Sequence, residues 1–170
     1  MMYIIISISK EENISNLDLY CLLTSALFCN FNNSNGKLNE TTDLYNAKLG
    51  LNNCLISIKK NSLETQALIK ECEKLIESIY IENNIELEYN QKIMRESRIL
   101  TLLFDDFITH TLFGIKTEIK IKENADLIKY ILDYIIKQFN SLELEFSKKL
   151  VNEHKDSLFT LINDLCNILK

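Results

Sequence analysis

The sequence predicts a mostly helical α+β domain, in which about five helices pack on a small antiparallel sheet of about three strands. Three short stretches are rich in β-branched residues or alternate between apolar and polar residues, as strands do. Several longer stretches repeat apolar residues at helical spacing. The chain of 170 residues has no proline and only three glycines, so both kinds of element can run unbroken. An all-α bundle, in which the N-terminal stretch is a helix, is the alternative.

The first part of the chain contains two of the predicted strands and one predicted helix. Residues 2–9 form a continuous run rich in isoleucine, which is typical of a buried strand. Residues 16–31 repeat leucine at helical spacing, and Ser15 or Asn16 would cap that helix. Residues 32–50 are polar and irregular, which predicts a loop with one helical turn near its end. Residues 54–60 alternate in polarity and predict the second strand.

The clearest helix is predicted over residues 61–82. Asn61 and Glu64 form a capping-box pattern at its start, and one buried stripe follows. The stripe consists of Leu68, Cys72, Leu75, Ile76 and Ile79. Residues 85–89 alternate in polarity and predict either a short strand or the start of the next helix.

The last part of the chain contains the third predicted strand and three further helices. Residues 91–113 predict a long central helix with a wide apolar face. Residues 115–122 alternate isoleucine or threonine with charged residues, which predicts an edge strand. Residues 125–139 predict a helix, and residues 142–169 predict a final helix with His154 among its apolar positions. No linker or internal repeat interrupts the chain, so residues 1–170 are predicted to form a single domain.

The composition is that of an ordinary globular protein from an AT-rich genome. Ile, Leu, Asn and Lys are frequent, and 46% of the residues are hydrophobic. The five cysteines form no CxxC pair, so buried reduced thiols are expected rather than a disulfide framework or a zinc site. The apolar N-terminal run lacks the cationic lead of a signal peptide, and no apolar run reaches the length of a membrane span. A cytoplasmic protein without membrane contact is therefore expected.

The charge of the chain is concentrated in its middle. The formal net charge is −5, and residues 61–110, with ten acidic and five basic residues, account for all of it. Direct binding of nucleic acid is not expected, because phosphate contacts need a basic stripe. A protein partner with a basic surface is favoured instead.

The acidic middle segment contains the candidate binding residues. The sharper hypothesis is a docking face for a basic partner, and the alternative is a solvated face that keeps the protein soluble. The candidate partner-binding residues are Glu71, Glu73, Glu77, Glu82, Glu86 and Glu88.

Motifs of catalysis are scarce. Three scattered glycines cannot form a phosphate-binding loop, and the HExxH and ExxH metal motifs are absent. Asp106 and His110 are four residues apart on a predicted helix, so they could bind one metal ion together if a third ligand joined them. The alternative is an ordinary carboxylate–imidazole pair at the edge of a core helix.

These observations favour a non-enzymatic protein–protein interaction module, namely a small acidic regulator, immunity protein or inhibitor, for which no cofactor is expected. A structural subunit of a larger assembly is one alternative, because the last predicted helix carries many large apolar residues and a homodimer would bury them. A metal-dependent hydrolase centred on Asp106 and His110 is the other alternative.

Overall fold

A computed structural model describes residues 1–29, 40–59, 62–80, 85–104 and 124–168, and all regular secondary structure within these residues is helical. The predicted α+β fold with its antiparallel sheet is therefore wrong, and the all-α alternative fits. The chain divides into two compact units, Met1–Ser97 and Arg98–Lys170. The prediction that residues 1–170 form a single domain stays a prediction.

The described residues of unit 1 (Met1–Ser97) contain four complete helices and most of a fifth. They are α1 (Met2–Glu11), α2 (Asn16–Cys29), α3 (Glu40–Lys59), α4 (Leu63–Ser78) and α5 (Tyr89–Leu100). Unit 2 (Arg98–Lys170) contains the end of α5, a short 3₁₀ helix (Thr101–Leu103), α6 (Asn124–Asn140) and α7 (Glu145–Ile168).

The first predicted strand is helix α1. Its buried residues Ile4, Ile5 and Ile8 recur at helical spacing, while Tyr3, which directly precedes them, is 75% exposed. A continuous apolar run gives no period by which helix and strand can be distinguished, and packing has overridden the β-preference of isoleucine here. Asn13 ends the helix with a φ of 52°, a left-handed conformation that asparagine tolerates better than most residues.

The second predicted strand and part of the predicted loop belong to helix α3. Ala47, Leu51 and Leu55 are buried at intervals of four residues, which is the period of a helix. Ile58, which the alternating pattern placed on a strand face, is 71% exposed. The alternation therefore covers too few residues to outweigh the helical pattern that begins upstream.

Later elements follow the predictions more closely. Helices are confirmed within residues 61–82, 125–139 and 142–169, although α7 begins three residues later than predicted and His154 lies on its exposed side. Helix α5 ends at Leu100 and continues only as the 3₁₀ turn within the described residues. The predicted third strand, residues 115–122, lies outside them.

Helix α2 is the central helix of unit 1. It packs against α1, α3 and α4, and α3 packs in turn against α4. Burying a leucine or isoleucine side chain fully stabilises the fold by about 1.5–3 kcal/mol, so this packing is the main source of stability. The side chains of unit 1 that are almost wholly inaccessible to solvent include Ile5, Ile8, Leu22, Leu51, Leu75 and Ile76.

In unit 2, helices α6 and α7 pack together as a helical hairpin. Ile131 and Ile135 from α6 are buried, as are Val151, Leu158 and Ile162 from α7. These positions repeat at intervals of four or seven residues, so each helix contributes one apolar stripe.

Serine side chains cap two helices of unit 1. The backbone N–H of Asp18 donates to Oγ of Ser15 at 3.1 Å, and that hydroxyl donates to the Asp18 carboxylate at 2.5 Å. The N–H of Thr65 donates to Oγ of Ser62 at 3.2 Å. Ser15 thus confirms one predicted cap, whereas the cap of α4 is Ser62 and not the predicted Asn61.

Replacing Ser62 with alanine is expected to lower the free energy of unfolding of unit 1 by about 1 kcal/mol, because a helix N–H loses its acceptor. Urea denaturation followed by circular dichroism measures the change. Ser57→Ala is the matched control, because the Ser57 hydroxyl bonds only to the Asn53 carbonyl on the exposed side of α3. An equal loss in both variants would contradict the capping role.

Candidate functional site

The first two predicted docking residues, Glu71 and Glu73, lie on helix α4 but not on one face of it. Successive residues of a helix are turned by about 100°, so these two glutamates flank Cys72 on opposite sides. Cys72 is completely buried and therefore marks the inward face of the helix. The two carboxylates lie along opposite edges of α4, and a flat partner surface could not easily contact both.

Ion pairs within unit 1 already involve two of the predicted glutamates. Glu77 pairs with Lys48, which joins α4 to α3, and the two side chains are 42% and 28% exposed. Glu71 pairs with Lys74 one turn along α4, at 3.6 Å. These exposed or half-exposed pairs stabilise the fold little, but they neutralise two charges that the sequence counted as available.

Glu86 and Glu88 lie in the segment that precedes α5, and both are exposed. The backbone N–H of Glu88 donates to Oε1 of Gln91 at 2.9 Å, which fixes the start of α5 in the manner of a cap. Glu82, the remaining predicted docking residue, lies outside the described residues.

The structure adds two carboxylates that the charge count along the sequence missed. The Tyr89 hydroxyl donates to Oε2 of Glu12 at 2.5 Å, and the Asn90 side-chain amide donates to Oδ1 of Asp18 at 2.8 Å. These hydrogen bonds bring the start of α5 against the turn between α1 and α2. The acidic corner, as we call this region, consists of Glu12, Asp18, Glu86 and Glu88.

Tyr89 is the neutral donor in the acidic corner. Burial, the hydrogen bond to Glu12 and the negative charges of Glu12 and Glu96 together raise the pKa of Tyr89 to about 12. The phenol therefore remains protonated at neutral pH and continues to donate to the Glu12 carboxylate. A carboxylate held in this way retains acceptor capacity for a lysine or arginine of a partner.

The C-terminal end of α4 adjoins the same region. The hydroxyl of Ser78, which is completely buried, lies 2.6 Å from the Leu75 carbonyl and 3.3 Å from the Gln91 carbonyl. The last turn of α4 therefore lies beside the first turn of α5. Charged residues near the end of α4 and those of the acidic corner are on neighbouring elements.

The candidate metal ligands Asp106 and His110 lie outside the described residues. Within the part of the chain that the structure describes, no group of three or more His, Cys, Asp or Glu side chains could hold a metal ion. Two glutamates that the sequence offers as a third ligand differ in exposure, because Glu96 is buried on α5 and Glu153 is exposed on α7. The metal hypothesis stays a prediction.

A groove of about 330 Å³ runs along the α6–α7 hairpin of unit 2. Apolar side chains, among them Phe139 and Phe159, line it together with Lys148 and Lys155. The Lys148 ammonium donates to Glu145 at 2.8 Å, and that of Lys155 donates to the Asn152 side chain at 3.2 Å. Because both cations already have local acceptors, the groove does not define an anion site.

Within the described residues, no helix is both long enough and apolar enough to cross a membrane. Comparison with family models, curated proteins and solved structures finds no match to this chain.

Proposed function

We propose that this chain is a non-enzymatic protein–protein interaction module that binds a basic surface of a partner protein through the acidic corner. The observation that carries the proposal is that Glu12 and Asp18 hydrogen-bond to Tyr89 and Asn90, which directly follow the segment of Glu86 and Glu88, although the bonded residues are 77 and 72 positions apart in the sequence. A small acidic regulator, immunity protein or inhibitor would act by contacts of this kind.

The hydrogen bonds of the acidic corner favour binding because they position the carboxylates in advance. Glu12 is held by Tyr89, and Asp18 is held by both Ser15 and Asn90. Side chains that are already ordered lose less conformational entropy when a partner binds. The carboxylates still have unused acceptor sites, which suit lysine and arginine donors.

The distribution of ion pairs also favours the acidic corner over α4. The carboxylates of the ion pairs found among the described residues are Glu71, Glu77 and Glu145, none of which belongs to the acidic corner. A basic partner would have to compete with Lys48 and Lys74 for the glutamates of α4. Glu86 and Glu88, which belong to the acidic corner, are the predicted docking residues that remain best placed for a partner.

The test compares two triple variants of equal charge change. In the first, Glu12, Glu86 and Glu88 of the acidic corner are replaced with lysine, and in the control, Glu153, Asp156 and Asp164 on the exposed side of α7 are replaced with lysine. Immobilised wild-type and variant proteins are incubated with lysate of the source cells, and captured proteins are quantified by mass spectrometry at low and high salt. Circular dichroism verifies that both variants fold.

We expect the wild type and the control variant to retain a basic partner at low salt and to release it at high salt. The first variant should retain at least about tenfold less, which corresponds to about 1.4 kcal/mol of binding free energy. Equal capture by both triple variants would exclude the acidic corner as the docking surface. Capture that does not respond to salt would exclude a charge-driven interaction.

A further inference from the structure

Helices α2 and α4 approach each other closely where Ser25 faces Cys72. Ser25 is completely buried, and its hydroxyl lies 2.7 Å from the Cys21 carbonyl on its own helix and 3.2 Å from the Cys72 carbonyl on α4. A side chain as short as serine can reach the backbone of a neighbouring helix only where the two helices nearly touch. Small residues at such a crossing allow the close approach.

Cys21 and Cys72 lie at this crossing, one on each helix. The Cys72 thiol donates to the Cys21 carbonyl at 3.7 Å, and the two thiols are close enough that each shifts the pKa of the other. Cys72 has no exposed surface, and Cys21 is 4% exposed. The two sulfur atoms are therefore neighbours inside the core, although 50 residues separate them in the sequence.

The two thiols differ in acidity, and the difference follows from their contacts. The hydrogen bond with Cys72 lowers the pKa of Cys21, because it stabilises the Cys21 thiolate. The same hydrogen bond and complete burial raise the pKa of Cys72. Cys21 is thus the more readily ionised sulfur, and Cys72 is the one that holds its proton.

We propose that Cys21 and Cys72 form a dithiol site that a hydroperoxide oxidises reversibly to a disulfide joining α2 to α4. The close approach of the two backbones provides the short separation that a disulfide needs. Of the two residues, Cys21 is the one that retains some exposed surface, so peroxide is expected to approach the crossing from its side. This proposal does not depend on the acidic corner.

The oxidation proceeds in two steps with hydrogen peroxide as the oxidant. The Cys21 thiolate attacks one peroxide oxygen, the O–O bond breaks, and the hydroxide that leaves takes up the proton released by the Cys21 thiol, giving water and a Cys21 sulfenic acid. The sulfur of Cys72, as it loses its proton, attacks the sulfenic sulfur. The S–S bond forms, the S–O bond breaks, and hydroxide leaves with the Cys72 proton as a second water. The two thiols lose two electrons, and the peroxide gains them.

The other cysteines of the described residues provide comparisons within the same chain. Cys21, Cys29, Cys54 and Cys72 are free thiols in the structure. Cys29 is buried on α2, and Cys54 on α3 is partly exposed. Cys54 therefore reports whether peroxide has acted on the protein at all, and Cys29 is a buried thiol on the same helix as Cys21.

The test treats the folded full chain with hydrogen peroxide and maps its thiols by mass spectrometry after digestion without reductant. Chymotrypsin is the protease of choice, because cleavage after Leu23 or Phe28 separates Cys21 from Cys29. We expect a peptide pair linked through Cys21 and Cys72, which dithiothreitol separates. The oxidised protein should melt about 5 to 10 °C higher, because a cross-link constrains the unfolded chain.

Single alanine variants assign the linkage. Cys29→Ala should still form the Cys21–Cys72 link, whereas Cys21→Ala and Cys72→Ala should not. Oxidation of Cys54 without any Cys21–Cys72 link in the wild type would overturn the proposal. A link that forms only when the chain is treated in concentrated urea would also overturn it, because the folded crossing would then play no part.

Discussion

Replacing Leu75 with alanine is expected to lower the free energy of unfolding of unit 1 by about 3 kcal/mol, within the range of about 2 to 5 kcal/mol found for such truncations. Leu75 is completely buried on α4 and is one of the largest side chains in the core of unit 1. Truncation removes apolar surface from the core and leaves a cavity that neighbouring helices can fill only in part. A domain is stable by only about 5 to 15 kcal/mol, so the loss would be a substantial fraction.

Leu63 provides a matched control on the same helix. It is 84% exposed at the start of α4, so Leu63→Ala should change the free energy of unfolding by less than about 0.5 kcal/mol. Urea denaturation gives both values, and hydrogen exchange in peptides from residues 62–80 shows whether the loss is local to unit 1. Similar effects of the two substitutions would contradict the packing of α4 described above.

Replacing Ser25 with leucine is expected to lower the melting temperature of unit 1 by about 10 °C. The larger side chain would push α2 and α4 apart at their crossing, and overpacking of this kind costs about 1–3 kcal/mol. The substitution also removes the hydroxyl that lies within hydrogen-bond distance of two carbonyls, at about 1 kcal/mol for a typical hydrogen bond. At about 2–4 °C per kcal/mol, the two losses give the expected shift.

Two further substitutions separate the causes of that shift. Ser25→Ala removes the hydroxyl without adding volume, so it should lower the melting temperature by only about 2–4 °C. Ser57→Leu adds the same volume on the exposed side of α3 and should have little effect. Differential scanning calorimetry measures all three variants. If Ser25→Leu were no worse than Ser25→Ala, the helices would not approach as closely as their hydrogen bonds indicate.

The sequence was most informative where a helix has one apolar stripe and a polar opposite face. The region of α4 met that condition, and three of the five predicted stripe residues are fully buried, namely Cys72, Leu75 and Ile76. The prediction of a strand at residues 2–9, where the structure has helix α1, was wrong because this stretch lacks such a pattern. Residues 4–6 are all isoleucine, so no polar residue marks which side faces outward, and local preference favours a strand. Only the packing of this segment against α2 decides between a helix and a strand.

The candidate site was predictable only in part, because counting charge along the sequence ignores what folding brings together. Glu86 and Glu88 were identified by their position in the acidic segment. Glu12 and Asp18 belong to a part of the chain whose charges balance, and they join the acidic corner only through Tyr89 and Asn90. The ion pair between Glu77 and Lys48 could not be predicted either, because the two residues are 29 positions apart in the sequence.

The order in which the helices of unit 1 pack together affects the rate at which unit 1 folds. Helix α2 contacts its sequence neighbours α1 and α3, and α3 contacts α4, so most helix pairs can meet by closing a short loop. Proteins dominated by such local contacts reach their folding transition state quickly. The chain also has no proline, so no slow isomerisation of a prolyl peptide bond can delay it. The packing of α2 against α4 joins two helices that are not neighbours in the sequence, and the rate of folding of unit 1 is expected to depend on that step.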